Sequence, residues 1–382
     1  MSARPLRILL VSHYYPPHVG GIENVVHREA RGLSAQGVDV TVLTSAERSS
    51  DTVEQGVRVV RVAAWNGTER RAGVPFPLFS PALLTAALRL ARRADAVHLH
   101  DCLYLSSWAA GLAARLTRTP YFLTQHVAVV EHPSALVRAV QRGVYGSAGR
   151  ALLRGARAVF TLNASVARFV RAYGAQEHRA HHLANGVDTV RFRPAVTAAE
   201  RRLVRERFGL PADRVLVLFA GRLVPKKGYD MLLAAHTPGA GYDLVFSGGG
   251  DSAALVGRPG VHHLGALSQE AVADAYRACD VFALPSTAEG FPLTVQEAMA
   301  SGLPVVTTDD DGYAPYQLDR DRLSLLPREV PALAAELSAL AADPERRARM
   351  GEYSRTYAEK AFAWDDHVQT LLGHYRGGGE RQ

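Results

Sequence analysis

The chain writes one pattern twice. From Leu6, "LRILLVSHYYPPHVGGIENVVHREA" is a short apolar run, a glycine-bearing loop and a helical repeat. From Arg214, "RVLVLFAGRLVPKKGYDMLLAAH" repeats the order. An aliphatic run, a glycine loop and an amphipathic helix form the unit of a parallel sheet with helices on its faces. Further strands are expected at Asp39–Thr44, "ADAVHLH" and "PYFLTQH" in the first half, and at "DLVFSGGGD", "VHHLGAL", "DVFALPS" and "LPVVTTD" in the second. The turn-rich "ANGVDTVRFRP" separates the halves, and "TAAERRLVRERFG" opens a helix beyond it. The expected fold is therefore α/β, with two Rossmann-like doubly wound domains facing a central cleft. We place the first at residues 1–190 and the second at 191–361, with a helical tail at about 362–382 packing back on the first.

With 382 residues the chain exceeds what a single core usually covers, which agrees with two domains. Cys102 and Cys279 are far apart and define no disulfide or metal framework. The apolar run after Arg7 is six residues long, too short for a signal segment, and nothing approaches a spanning length. A cytoplasmic, soluble or peripheral protein is expected. Charge is uneven: residues 1–190 hold 22 basic and 12 acidic side chains, while residues 191–382 hold 22 and 25. Ten arginines lie between Ser134 and Arg193. Such a face suits an anionic acceptor or an anionic membrane surface, unless it is only a solvated helix face. No nucleic-acid partner is expected.

Four stretches carry chemistry. In "VGGIE", Gly20 and Gly21 precede a helix, where free N–H groups favour phosphate. In "FAGRLVPKKG", Arg222 and Lys227 lie between strand and helix and suit a diphosphate. Lysine occurs only three times in the chain, and Lys226 and Lys227 are two of them. In "ALPSTAEGFPLTVQEAMASGLPVV", a strand ends at Pro285. A loop then holds Glu289, Gly290 and Phe291, and a helix begins at Pro292. Glu289 can reach a sugar hydroxyl, and Glu297, one turn into the helix, can take a ribose diol. In "FLTQHVAVVEH", His126 follows a strand and faces the expected cleft, although a lone histidine is more often structural.

Together these stretches, with "GGIENVVHREARGLSAQGVDVTVLT", "NGVDTVRFRP" and the Glu–seven residues–Glu spacing of Glu289 and Glu297, resemble the GT4 family of retaining glycosyltransferases, of GT-B fold. The resemblance runs through nearly the whole chain in order. It implies that Gly21 lies against a donor diphosphate, and that Arg222 and Lys227 hold and stabilise that group as it leaves. It implies that Leu267 offers backbone to the base and that Glu289 binds the donor sugar. Gly290, Phe291, Pro292 and Leu293 would present backbone around sugar and phosphates, Glu297 would bind the ribose, and His126 would lie near the anomeric carbon. The first half would bind acceptor and the second a UDP- or GDP-sugar. No metal and no cofactor beyond that co-substrate is implied. The pattern departs in "TTDDDGYAPYQLDRDRL" and "SGGGD", where the family usually has a glycine-rich turn with a Glu and a glycine–acid–glycine arrangement.

The expected reaction is metal-independent transfer to an acceptor hydroxyl on the same face. The acceptor is anionic, phosphorylated or lipid-linked, or else a small secondary metabolite. A glycoside hydrolase built on Glu289 and Glu297 leaves the diphosphate-type loop without purpose. A catalytically degenerate membrane-docking subunit would be expected to lose donor-site residues, which are present.

Overall fold

β1 (Arg7–Val11) contributes to two cores at once. Ile8 and Leu10 pack with Val26, Ala30 and Leu33 of the helix Gly21–Ala35, while Leu9 and Val11 pack with Ala113 and Leu152 on the opposite face. A strand buried on both faces belongs in the middle of a helix-covered parallel sheet. β1 lies between β2 (Asp39–Ala46) and β6 (Ala96–His100), parallel to both. With β3 (Ser50–Glu54), β4 (Val57–Trp65), β7 (Tyr121–Gln125), β8 (Val159–Thr161) and β9 (Ala180–His182), the order is β3-β4-β2-β1-β6-β7-β8-β9. β5 (Leu78–Phe79) pairs with β4. β3 and β5 run antiparallel to β4 and are short edge pieces that the alternating pattern does not announce.

The computed structural model describes residues 4–18, 20–67, 76–129, 134–237, 239–287 and 289–377. It divides into two units, Met1–Asn185 with Trp364–Gln382, and Gly186–Ala363. The second unit is a six-stranded sheet of β10 (Val215–Ala220), β11 (Tyr242–Ser247), β12 (Val261–His263), β13 (Val281–Leu284), β14 (Val305–Thr308) and β15 (Ser324–Leu326). Their order is β12-β11-β10-β13-β14-β15, parallel throughout. The order reverses between β10 and β13, as it does between β1 and β6 in the first unit. A reversal of this kind opens a crevice at the carboxyl ends of the two strands.

The helix Trp364–Tyr375 returns to the first unit and buries Val368, Leu371, Leu372 and Tyr375 in the core that holds Ile8 and Phe122. Its approach depends on Gly32, where a Cβ would come within 2.6 Å of Val368 Cγ2. Residues 378–382 of the expected tail lie outside the described residues.

Candidate functional site

The loops after β10 and β13 flank the reversal in the second unit and are locked together. Gly228 has φ +80°, and a Cβ on it would lie 2.2 Å from the Pro285 carbonyl oxygen. Thr287 donates its N–H to the Lys226 carbonyl at 2.9 Å. Arg328, just past β15, donates to the Pro285 carbonyl at 3.2 Å and to the Pro225 carbonyl at 3.1 Å, one in each loop. Lys227 Nζ meets Glu289 Oε2 at 2.5 Å, both side chains being largely buried. Arg222 is exposed on the same loop, with no ion-pair partner among the described residues.

The helix Leu293–Ala300 begins where the second loop ends, with Pro292 as its extended N-cap. The first N–H groups of a helix have no partner inside it and carry its positive dipole end. Phe291 stacks on Tyr316 with centroids 4.1 Å apart and meets Tyr313 edge-on at 5.1 Å. Both tyrosines come from the divergent "DDDGYAPY". There Asp310 caps a short helical turn by accepting the Gly312 N–H at 2.6 Å, and Asp309 pairs with Arg320 at 2.9 Å. A Cβ on Gly312 would lie 2.7 Å from Gly290 Cα, so this turn underpins the Glu289 loop.

Glu297, one turn into the helix, accepts from the Tyr276 hydroxyl at 3.1 Å. Burial pushes its carboxyl up to about 7. The two glutamates are therefore separately engaged, one with Lys227 and one with Tyr276. Arg222, Lys227, Glu289, Gly290, Phe291, Pro292 and Leu293 come together on the joined loops, and Glu297 follows on the same helix. Leu267 lies after β12, two strands from β10 and beside Ser268, which caps the helix Gln269–Ala278.

Residues 19–191 match the family described as Glycosyltransferase Family 4, and residues 200–357 match Glycosyl transferases group 1. A D-inositol 3-phosphate glycosyltransferase of Xylanimonas cellulosilytica is 34% identical over 93% of this chain and 91% of its own. The chain belongs to glycosyltransferase family 4. It is a glycosyltransferase of GT-B fold. The sucrose-phosphate synthase of Thermosynechococcus elongatus has a TM-score of 0.74 at 22% identity, over 97% of this chain and 98% of that one. HepE of Anabaena, solved in complex with UDP-glucose, has a TM-score of 0.72 at 18% identity, over 97% and 100%.

The transferase's first unit holds the remaining two expected residues. Gly21 opens its helix, and apart from its chain neighbours and the helix backbone no atom of the described residues lies within 4 Å of where a Cβ would sit, which leaves room for a ligand. Next to it, the buried Glu23 folds its carboxylate over Gly20 and meets His18 at 3.1 Å. An acid in this first turn competes with any anion there, and the glycine pair gives no sign of it. His126 is buried at the end of β7 and belongs to a chain of side chains. Its Nε2 lies 3.0 Å from His100 Nδ1, and His100 Nε2 lies 3.2 Å from Glu29 Oε2. Glu29 Oε1 is 2.9 Å from His367 Nε2 of the returning helix.

Glu29, His98 and His100 place ligand-type atoms within 4.8 Å of one another. Both His98 nitrogens are already engaged, by Tyr375 and by Thr124 at 2.8 Å, so the cluster is a hydrogen-bond network. Glu29 was legible as an anomaly, because a carboxylate stands on the stripe shared by Val26, Ala30 and Leu33. Arg328 has no comparable signal, since its two acceptors are backbone carbonyls 43 and 103 residues away.

Proposed function

We propose that this glycosyltransferase moves a hexose from a UDP-sugar to a hydroxyl of a small phosphorylated polyol, with retention of anomeric configuration. The observation that carries the reading is the joining of Arg222, the Lys227–Glu289 pair and a helix N-terminus on two adjoining loops at the β10/β13 reversal. Departure of a nucleoside diphosphate builds negative charge on phosphate oxygens. Lys227, Arg222 and the N–H groups at Leu293 are preorganised cationic and dipolar groups for that charge. Glu289 takes sugar hydroxyls, Glu297 the ribose diol, and Leu267 contributes backbone at the base. Gly21 and His126, in the acceptor-binding first unit, address the diphosphate and the transferred sugar.

The leaving phosphate oxygen accepts the proton of the attacking hydroxyl on the same face, so neither a protein nucleophile nor a metal is required. HepE, solved with UDP-glucose, supports the donor class. The name of the Xylanimonas relative and the arginine-rich face of the first unit support an anionic acceptor. We assign the reaction to the cytoplasm.

The test is a matrix of UDP-, GDP- and ADP-hexoses against D-inositol 3-phosphate, inositol and hexose phosphates, read as nucleoside diphosphate released. Turnover restricted to a UDP-hexose with a phosphorylated polyol is expected. Equal rates with the unphosphorylated polyol would remove the anionic acceptor. A second reading, a lipid-linked phosphate at an anionic membrane surface, is favoured by the helix Ala135–Val144, which leaves Val140 57% exposed on the same helix as Arg142. No helix among the described residues is long and apolar enough to cross a membrane. Vesicle binding that weakens with salt would favour this second reading.

A further inference from the structure

Glu29 is wholly buried on the core face of its helix. A lone carboxylate there would cost several kcal/mol. Its partners are His100 and His367, and the protons on this network can be followed from one fixed point. His367 Nδ1 lies 2.8 Å from the Ala184 carbonyl oxygen, which only accepts, so Nδ1 carries a proton. His367 Nε2 lies 2.9 Å from Glu29 Oε1, and an ionised Glu29 only accepts, so the proton between them sits on Nε2. Burial works to raise the Glu29 carboxyl, but the neighbouring His100 and His367 outweigh it and hold it well below its ordinary range.

Among the described residues the second carboxylate oxygen and His100 Nε2 have no hydrogen-bond partner, each other included, although they lie 3.2 Å apart. At that distance they still make an ion-pair contact, and a proton on Nε2 suits the carboxylate it faces. His100 Nδ1 is then a bare lone pair, and it faces His126 Nε2 at 3.0 Å, which must donate to it. His126 is left with Nδ1 unprotonated. Burial holds the His126 ring neutral.

We propose that Glu29 is a positioning residue that, through His100, fixes His126 in the Nε2–H tautomer, so that His126 Nδ1 is an acceptor for a hydroxyl of the transferred sugar. The assignment of the sugar to His126 rests on the function proposed above; the tautomer does not. The returning helix takes part, because His367 supplies the counter-charge that keeps Glu29 ionised.

The tautomers are read directly by imidazole nitrogen NMR of the whole protein. Wild type should show Nε2–H, with an unprotonated Nδ1, at both His100 and His126, and two protonated nitrogens at His367. In Glu29→Gln the amide oxygen still accepts from His100 while the amide N–H₂ faces a His367 that has lost its proton. The His126 tautomer and kcat should therefore survive within about threefold. Glu29→Leu removes the acceptor; His126 should lose its single tautomer and kcat should fall about tenfold with donor KM unchanged. A role in charge pairing alone predicts the opposite for Glu29→Gln. An Nδ1–H His126 in wild type, or a Glu29→Leu protein with wild-type tautomer and kcat, would overturn the proposal. Wild type with the expected tautomers but no sugar transfer would sink the functional reading and leave the relay standing.

Discussion

Lys227 is one of three lysines in a chain with 41 arginines, and its surroundings show what an ammonium does there. Three N–H donors sit on one atom; one goes to Glu289 at 2.5 Å, and the proposed function gives the other two to phosphate oxygens. A guanidinium paired with the same carboxylate directs its remaining donors along a fixed plane. Lys227→Ala should lower kcat/KM roughly 100- to 1000-fold, as loss of one charge-stabilising donor does elsewhere. Lys227→Arg should still lose more than about tenfold, with unchanged circular dichroism. Nothing in the structure explains why exposed Lys226 is lysine, since its carbonyl alone holds Thr287.

Glu297 makes a second prediction at this scale. Its folded carboxyl titrates near 7, above the ordinary 4.5, so between these values the folded state holds a proton that the unfolded state has lost. The stability this contributes is present below about 4.5 and disappears as pH rises through about 7. Glu297→Gln should therefore unfold at a higher temperature than wild type at pH 8, by on the order of 1 kcal/mol. It should also bind UDP more weakly, because an amide cannot accept from both ribose hydroxyls through two carboxylate oxygens. Wild-type affinity for UDP should drop below pH 7 as the carboxyl protonates. A flat calorimetric affinity from pH 5 to 8 would remove Glu297 from the ribose.

At the scale of elements, the candidate site is a product of how two loops are fastened. Gly228→Ala forces an L-residue to φ +80° and drives a Cβ toward the Pro285 carbonyl. It should cost more than about 1 kcal/mol and weaken UDP binding, seen as paired losses in melting temperature and affinity. Arg328→Ala removes the bridge between Pro225 and Pro285 and should weaken UDP binding several-fold with little change in melting temperature. Much of this was legible in the sequence. "FAGRLVPKKG" and "AEGFPLTVQEAMA" mark a strand, a glycine loop and a helix start through local chemistry alone. Arg328, Tyr276 and the Tyr313–Tyr316 platform were not legible, because each acts through a partner remote in sequence. Glu29 lay between these cases: its place on an apolar stripe is visible, whereas the histidines that answer it come from β6 and from residue 367.

At the scale of the molecule, the doubled pattern announces two Rossmann-like sheets, and each sheet reverses its order where its two central loops emerge. The return of the last helix depends on side-chain fit, Val368 against Gly32 and Tyr375 beside His98, which no local pattern encodes. A chain ending at Ala363 should leave the second unit's melting transition in place. It should destabilise the first unit by several kcal/mol, since Val368, Leu371, Leu372 and Tyr375 are lost from its core. Differential scanning calorimetry with and without UDP separates the two transitions, because the second unit, which carries most of the proposed UDP contacts, should shift the more. The central claim, retaining transfer from a nucleotide sugar, is tested most directly by proton NMR of the reaction with an α-linked UDP-hexose and the best acceptor of the matrix. An α-glycoside of the acceptor should accumulate in step with UDP from the first turnovers. A β-glycoside, or free hexose with no glycoside, would contradict it.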